Sequence, residues 1–138
     1  MNIDSIQNGY VIDHIQAGKA MQLYNMLGLD QLDCSVAIIK NAPSRKMGKK
    51  DIIKIDALIA MDFDLIGFVS PEATVNIIEN GLRREKKHLS LPLRLVDIIR
   101  CKNPRCITST EQELQHVFVR RENSTAYRCL YCDTRAST

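Results

Sequence analysis

The chain lacks the features that mark membrane and secreted proteins. It has no run of about 18 apolar residues, which argues against a membrane-spanning helix. Its first ten residues, "MNIDSIQNGY", are polar and lack the apolar core of a secretory signal. We therefore expect a cytoplasmic protein with no membrane partner, in a reducing environment where paired cysteines bind metals more often than they form disulfides.

Strong positive charge and stacking aromatic side chains are also scarce. The 19 Lys and Arg exceed the 16 Asp and Glu by only three, and aromatic residues make up 5% of the chain. Dedicated nucleic-acid binders are usually more basic and stack bases on aromatic rings, so we expect no nucleic-acid partner. The C-terminal third is nevertheless locally basic, which leaves a zinc-ribbon nucleic-acid-binding or transcription module as the alternative.

Motifs for phosphate binding and catalysis are missing too. The chain contains neither G-x-G-x-x-G nor G-x-x-x-x-G-K-[ST], so a nucleotide would have to be held mainly by side-chain charge. No candidate nucleophile has an adjacent base, and no pair of carboxylates stands outside a solvated context. We therefore do not expect an enzyme.

Cysteine, in contrast, is abundant and patterned. Cys101 and Cys106 form a C-x4-C pair, and after 22 intervening residues Cys129 and Cys132 form a C-x2-C pair. Two short chelating turns with four thiolates suit the tetrahedral site of one structural Zn²⁺. A zinc hydrolase would need an open metal position, which four cysteines do not leave. His116 is expected on a strand surface rather than as a ligand.

The order of elements predicts two domains. Three segments are typical of strands: "YVIDHI" (10–15), "CSVAIIK" (34–40) and "DIIKI" (51–55). Residues 17–27 are typical of a helix capped by Gly28, and "NAPSRKMGKK" (41–50) is typical of a loop. Residues 56–68 are ambiguous and suit a short helix followed by a brief strand to Val69. Asn80-Gly81 predicts a hairpin turn within residues 74–85. "SLPLRLV" (90–96) is interpreted as a connector.

The resulting β-α-β-β-α-β-β order predicts an α+β fold, an antiparallel sheet with two helices on one face in the ferredoxin-like manner. We place this domain at residues 1–95. Residues 96–138 are expected to form a small all-β, zinc-ribbon-like domain. Because Cys34 lies in an apolar strand pattern, it is expected to be a buried small hydrophobic residue.

Basic residues of the N-terminal half form two clusters, at 45–54 and 83–87. Solvated loops and hairpin faces are the ordinary interpretation of such clusters. Lys54, however, lies within a strand, and an antiparallel sheet brings the second cluster toward it. Asp13 and His14 end the first predicted strand, where they suit a sugar hydroxyl and a phosphate.

A set of ordered motifs resembles one family. "GYVIDHIQAGKA", "NAPSRKMGKKDIIKI", "SPEATVNIIENG", "SLP" and "CKNPRCIT…YRCLYC" are similar to the motifs of the regulatory chain of aspartate carbamoyltransferase, over about residues 3–133. The resemblance implies a non-catalytic subunit whose N-terminal domain binds the effectors CTP, UTP or ATP. It also implies a zinc domain that docks onto the catalytic chain, and regulatory dimers within a dodecamer of six catalytic and six regulatory chains.

The resemblance also assigns site residues. It implies nine residues of a nucleotide pocket, which lie around the base and ribose, near the phosphates or elsewhere in the pocket: Ile3, Asp4, Ile6, Asp13, His14, Lys50, Lys54, Asn76 and Lys86. Cys101, Cys106, Cys129 and Cys132 match the zinc ligands. Gly81 stands where some members carry Tyr, and the sequence stops six residues after Cys132, which is expected to weaken the last strand pairing of the zinc domain.

Overall fold

Residues 6–136 are described by a computed structural model and form two units, one ending at Ser90 and the other beginning at Leu91. The first unit follows the predicted β-α-β-β-α-β-β order. Its elements are β1 (Gly9–Gln16), α1 (Ala20–Met26), β2 (Val36–Ser44), β3 (Gly48–Ile55), α2 (Phe63–Val69), β4 (Thr74–Glu79) and β5 (Leu82–His88).

The five strands form one antiparallel sheet in the order β2-β3-β1-β4-β5, so the α+β prediction is confirmed. Apolar side chains on one face are fully buried, as at the cross-strand neighbours Ile53, Ile12 and Val75. The two helices bury their own apolar residues, including Leu23 of α1 and Ile66 of α2. Burial of this apolar surface between helices and sheet is the main force that holds the unit together.

Residues 41–50 were predicted to be a loop, and this was wrong. β2 continues through Ser44 and β3 begins at Gly48, so only a short turn separates them. Pro43 is tolerated because β2 is an edge strand, where a missing backbone N–H need not leave a neighbouring strand unpaired. The extended hairpin carries Lys50 into the sheet instead of leaving it in a mobile loop.

The helices are shorter than predicted. α1 begins at Ala20 rather than at residue 17, and Gly28 follows it with φ of 67°, in the left-handed conformation that commonly ends a helix. In the ambiguous segment, Asp62 accepts the N–H of Leu65 at 3.1 Å and so caps α2. The brief strand predicted up to Val69 is absent, because α2 itself runs through that residue.

The hairpin prediction at Asn80-Gly81 is confirmed. Both residues have positive φ, 53° and 76°, as the tight turn between β4 and β5 requires. The turn also contacts the segment before β1, since the N–H of Gly81 donates to the carbonyl of Gln7 at 2.9 Å.

The second unit contains β6 (Arg94–Val96), α3 (Ile107–Thr110), β7 (Val117–Val119) and β8 (Arg128–Cys129). The strands form a three-stranded antiparallel sheet in the order β6-β7-β8. The unit is therefore mainly β with one helical turn, close to the predicted all-β domain. The connector interpretation of residues 90–96 missed β6, which pairs with β7, and the second unit begins five residues before the predicted position.

Two side chains fix the first residues of the second unit. Arg120 donates to the carbonyls of Leu91 and Pro92, and the Tyr127 hydroxyl also donates to Pro92. A guanidinium offers several N–H groups in a fixed plane, which suits it to hold adjacent carbonyls. The segment that enters this unit from the first is therefore tied to the small sheet. Among the described residues, no helix is long and apolar enough to cross a membrane.

Candidate functional sites

One row of residues crosses the sheet on the face opposite to the helices. Lys54 of β3 pairs with Val11 of β1, Val11 pairs with Asn76 of β4, and Asn76 pairs with Lys86 of β5. Directly paired residues of adjacent strands point to the same side of a sheet. We call this side the open face; it carries Val11, Asp13, Lys50, Lys54, Asn76 and Lys86. The strands thus bring together lysines that lie 32 residues apart in sequence.

A second cluster lies at the end of β1 on the same face. The ammonium Nζ of Lys50 lies 2.9 Å from Oδ1 of Asp13. Nδ1 of His14 lies 3.2 Å from the hydroxyl of Thr74 and 3.8 Å from Oδ2 of Asp13. The side chains of Asp13 and His14 are both about three-quarters buried. Thr74 was not identified from the sequence, although its position two residues before Asn76 on a strand places it on the same face.

The Asp13 carboxylate is held in its charged form. Partial burial alone would raise the pKa of this carboxyl. The hydrogen bonds from Lys50 and from the backbone N–H of His14, with the nearby positive charge, outweigh burial and lower the pKa below its usual value. At neutral pH the cluster therefore presents an acceptor, Asp13, beside two groups that can face an anion, Lys50 and His14.

Asn76 has an unused acceptor in the middle of the open face. Its Nδ2 donates weakly to the carbonyl of Val11 at 3.5 Å, while its Oδ1 is buried without a hydrogen-bond partner. A buried polar atom without a partner costs about 1–3 kcal/mol. A bound ligand with an N–H or O–H donor would remove that cost.

The remaining predicted residues precede β1 in the sequence. Ile6 is half-buried, while Ile3 and Asp4 fall outside the described residues. Gln7 and Asn8 follow Ile6 and bond the β4–β5 turn, since the Asn80 N–H donates to Asn8 Oδ1 at 3.2 Å and Gly81 to Gln7. The N-terminal segment is thereby held against the same sheet that carries the lysines.

The second unit contains a cluster of four sulfurs. The ligand atoms of Cys101, Cys106, Cys129 and Cys132 all lie within 4.8 Å of one another, and the first three residues are buried. Sγ of Cys101 lies 3.5 Å from Sγ of Cys132, and Sγ of Cys106 lies 3.7 Å from Sγ of Cys129. These separations are too long for disulfides. They are close to the spacing of about 3.8 Å that four sulfurs adopt around one tetrahedral metal ion with bonds of about 2.3 Å.

Local hydrogen bonds shape the two turns of the cysteine cluster. Asn103 accepts the N–H of Arg105 with its side chain and the N–H of Cys106 with its carbonyl, which closes the C-x4-C turn. Its amide Nδ2 also donates to Thr134, beyond the C-x2-C turn, at 3.3 Å. One residue therefore helps to hold both turns around the cluster.

Local surroundings shift the pKa values of the cysteine thiols in opposite directions. Burial raises the pKa of Cys101 to about 12, whereas the hydrogen bond with the Thr134 hydroxyl lowers the pKa of Cys132 to about 6. A coordinated metal ion stabilises thiolates directly and removes this obstacle to ionisation. The number, spacing and softness of the donors thus fit a metal ion with a closed shell of four sulfur ligands.

Two other predictions concern residues outside this cluster. His116 immediately precedes β7, and its Nδ1 accepts the N–H of Cys101 at 3.2 Å, so it supports a cluster residue from outside the four sulfurs. Cys34 was expected to be buried in a strand. It is half-buried and lies two residues before β2 begins, because the strand starts at Val36.

Comparison with known proteins gives a family match for each unit. Residues 1–90 match the family model described as "Aspartate carbamoyltransferase regulatory chain, allosteric domain". Residues 94–138 match the one described as "Aspartate carbamoyltransferase regulatory chain, metal binding domain". The cysteine cluster lies within the second match, and the open face lies within the first.

Curated relatives are similar over nearly their whole length. The aspartate carbamoyltransferase regulatory chain of Clostridium botulinum strain Hall is 49% identical, covering 96% of this chain and 92% of that protein. The regulatory chain of Clostridium tetani is 47% identical over 96% and 94% of the two chains. That of Bifidobacterium longum is 41% identical over 99% of both.

Proposed function

Because this chain belongs to the family of aspartate carbamoyltransferase regulatory chains, we propose that it binds CTP, UTP and ATP on the open face and transmits their binding to a catalytic chain. Its two domains are allosteric and metal-binding rather than catalytic, as expected from the sequence. The observation that carries the proposal is the row Lys54–Asn76–Lys86, in which two cations flank a buried acceptor that has no partner.

The chemistry of the open face suits a nucleotide. Lys50, Lys54 and Lys86 supply positive charge for a polyphosphate, for which a phosphate loop is not needed. Asp13, held as a carboxylate, accepts from ribose hydroxyls, and Oδ1 of Asn76 accepts from an N–H or O–H group of the ligand. Ile3, Asp4 and Ile6 are proposed to complete the pocket from the N-terminal arm.

Two adjacent lysines provide a matched test. Lys86 pairs with Asn76 on the open face, whereas Lys87 pairs with Val75 on the helix side, its Nζ 4.2 Å from the centre of the Phe63 ring. Replacing Lys86 by Gln removes a phosphate contact and is expected to weaken CTP binding by about ten- to hundredfold, or about 1.5–3 kcal/mol. Lys87→Gln makes the same chemical change on the other face and should leave the affinity unchanged.

Isothermal titration of CTP, UTP and ATP into the full chain and both variants measures these effects. Absence of binding of all three nucleotides to the wild type at sub-millimolar concentration would contradict the proposal. Equal losses for Lys86→Gln and Lys87→Gln would place the nucleotide somewhere other than the open face.

For the cysteine cluster we propose one structural Zn²⁺, held by all four thiolates. Zinc prefers four soft ligands in a tetrahedron, and the closed shell leaves no position for a catalytic water. The metal supplies folding energy to a unit whose three strands contain only three, three and two residues. Cobalt substitution tests the ligand set, because its visible spectrum distinguishes four thiolates from mixed coordination.

The metal domain is also the proposed docking surface for the catalytic chain. Apolar side chains are exposed beside the cysteines: Ile107 follows Cys106, and Leu130 and Tyr131 lie between Cys129 and Cys132, each about half exposed. Apolar side chains left in solvent next to a rigid metal site are typical of a surface that a partner covers. We further propose that regulatory dimers bridge catalytic trimers in a cytoplasmic dodecamer of six catalytic and six regulatory chains.

Regulation then consists of a coupling free energy between nucleotide binding and the quaternary state of the complex. A nucleotide shifts that equilibrium only through its different affinity for the two states, typically by about 1–3 kcal/mol. Mixing the chain with purified catalytic trimer and measuring complex formation tests the partner. Salt-sensitive binding to a generic oligonucleotide without complex formation would instead favour a nucleic-acid module.

A further inference from the structure

Asp51 is a fully buried acid on the helix side of the sheet, where its neighbours on β3 are Ile53 and Ile55. Its carboxylate accepts three backbone N–H groups from two other segments. Oδ2 accepts from Gly18 at 3.0 Å and Ala20 at 3.2 Å, and Oδ1 accepts from Asn41 at 2.9 Å. A buried charge is costly unless it is fully hydrogen-bonded, so an acid kept here calls for a specific role.

Both strands beside β3 contain an extra residue near Asp51. On β1 the pairing shifts between Ile12 and Ile15, and on β2 it shifts between Ile39 and Ala42. Each shift is a β-bulge, in which two residues oppose one and a backbone N–H loses its place in the ladder. Asn41, in the second bulge, donates its N–H to Asp51 instead.

Each bulge also contains a residue in an unfavourable backbone conformation. His14 in β1 has φ of 56°, and Asn41 in β2 has φ of 59°. Left-handed conformations are uncommon for residues other than glycine and persist only where surrounding contacts hold them. Asp51 provides such contacts on each side of β3. It accepts the N–H of Asn41 on one side, and the N–H groups of Gly18 and Ala20, just beyond the end of β1, on the other.

The bulge in β1 determines what the open face presents. It sets the position of Asp13 and His14, while Lys50, adjacent to Asp51 in the chain, points to the opposite side from Asp51. The 2.9 Å contact between Lys50 and Asp13 joins the bulged strand to β3 across the open face. On the helix side, Asp51 joins β3 to Asn41 of β2 and to the segment that follows β1. On the open face, Asp13 and Lys50 join β1 to β3.

We infer that Asp51 is a positioning residue for the phosphate side of the nucleotide site: by bonding Asn41, Gly18 and Ala20, it fixes the bulges that place Asp13, His14 and Lys50. The inference rests on the proposed function of the open face and adds to it a residue that does not touch the ligand. The preference of the site for nucleotides with more phosphates then depends on the Asp51 carboxylate, which lies on the opposite side of the sheet from the ligand.

Asp51→Asn is the direct test. The variant is nearly isosteric, but its NH₂ group faces a backbone N–H and can no longer accept from it. If Lys50 and His14 are displaced, the affinity for CTP should fall by about tenfold, whereas the affinity for CMP, with one phosphate, should fall much less. The ratio of CTP to CMP affinity is therefore expected to drop by about fivefold or more.

Ile53→Val provides the stability control, because it destabilises the same strand and the same face by about 0.5–1.5 kcal/mol and leaves the hydrogen bonds of Asp51 to Gly18, Ala20 and Asn41 in place. The control should leave the affinity ratio unchanged. If Asp51→Asn does not fold, Asp51→Glu keeps both acceptor oxygens but displaces them by one methylene, and the same drop in ratio is expected. Equal ratios in wild type, control and Asp51 variant would overturn the inference.

A second readout needs no nucleotide. NMR titration of the Asp13 carboxyl in the full chain is expected to show that its pKa rises toward the ordinary value in the Asp51 variant, because Lys50 is displaced. In Ile53→Val the pKa of Asp13 should be unchanged. If the wild type binds no nucleotide but the Asp13 pKa responds in this way, the positioning role stands and the nucleotide function fails. An unchanged Asp13 pKa in the folded Asp51 variant would contradict the positioning role itself.

Discussion

At the scale of single residues, Asp13 balances the positive charge of the open face. It accepts from Lys50 at 2.9 Å and from the N–H of His14, and its side chain is about three-quarters buried. Without this carboxylate, Lys50, Lys54 and Lys86 would repel one another on one face of the sheet whenever no anionic ligand is bound. The acid is therefore expected to stabilise the ligand-free domain as well as to contact a ribose.

Asp13→Asn is expected to lower the free energy of unfolding of the first unit by about 1 kcal/mol at pH 7. Because the folded-state pKa of Asp13 lies below its unfolded value, near 3.9, this contribution is fully present above about pH 5. It is lost as the pH falls below the unfolded value and through the folded pKa. The difference between wild type and variant should therefore shrink in acid.

Urea unfolding between pH 3 and pH 7 measures this difference. Methyl NMR signals of Ile12 and Ile53, both fully buried in the first unit, would keep metal loss from the second unit out of the measurement. A difference that stays constant across the whole pH range would show that Asp13 stabilises the domain through packing and not through its charge.

At the scale of elements, two glycines serve different purposes in and beside the same strand. A Cβ on Gly9 of β1 would lie 1.9 Å from the carbonyl oxygen of Ile55, so Gly9 allows β1 and β3 to approach closely. Gly18, just beyond β1, has φ of 95° and open space around its Cα. The first glycine is required by sterics and the second by backbone conformation.

Gly9→Ala is expected to destabilise the first unit by about 3 kcal/mol, because the strands must move apart to admit the methyl group. Gly18→Ala should cost only about 1–2 kcal/mol, the penalty for a left-handed alanine. Denaturant unfolding of both variants, followed by the same core methyl signals, makes the comparison. A smaller loss for Gly9→Ala than for Gly18→Ala would show that the β1–β3 separation relaxes easily.

Sequence patterns predicted a helix, strand or turn correctly where neighbouring residues alone determine its conformation. The Asn80-Gly81 turn followed from the positive φ that these two residues tolerate, and strand alternation was enough to single out Lys54. The loop prediction for residues 41–50 was wrong because the strand pairing of this segment depends on a bulge bonded to Asp51. Local turn propensity contains no information about that bond. An acid at the same alternating positions as Ile53 and Ile55 was the available signal for Asp51.

The candidate site was predictable from residues only in part. Charge and strand position indicated Asp13, His14, Lys54 and the basic cluster at 83–87. The family resemblance alone indicated Asn76, and it singled out Lys86 within that cluster. Their place beside Lys54 depends on pairing between β1, β3 and β4, which are far apart in sequence. The four cysteines were predictable because their spacing itself reflects the geometry of a metal site.

At the scale of the whole molecule, the two units are stabilised differently. The first has a core of isoleucine, leucine and valine between sheet and helices, while the second is small and surrounds the cysteine cluster. Removal of the metal with a chelator is expected to unfold the second unit and abolish complex formation with the catalytic chain. CTP affinity should stay within about twofold, since the open face belongs to the first unit and the cluster to the second.

Two cysteine variants separate metal loss from chelator side effects. Cys129→Ser removes a cluster ligand and should reproduce the effect of the chelator, whereas Cys34→Ser makes the same substitution in the first unit and should leave assembly intact. Size-exclusion chromatography with the catalytic trimer and calorimetry with CTP report the two outcomes. Loss of CTP binding with assembly preserved would reverse the proposed roles of the two units.

The position of β1 also has a consequence for how the chain folds during synthesis. β1 precedes the other strands in sequence but lies at the centre of the sheet, between β3 and β4. Its second neighbour, ending at Glu79, leaves the ribosome on the order of several seconds after β1 itself. Until β4 has emerged, the apolar residues of β1 have an incomplete sheet to join, so the nascent chain is most prone to aggregation during this interval.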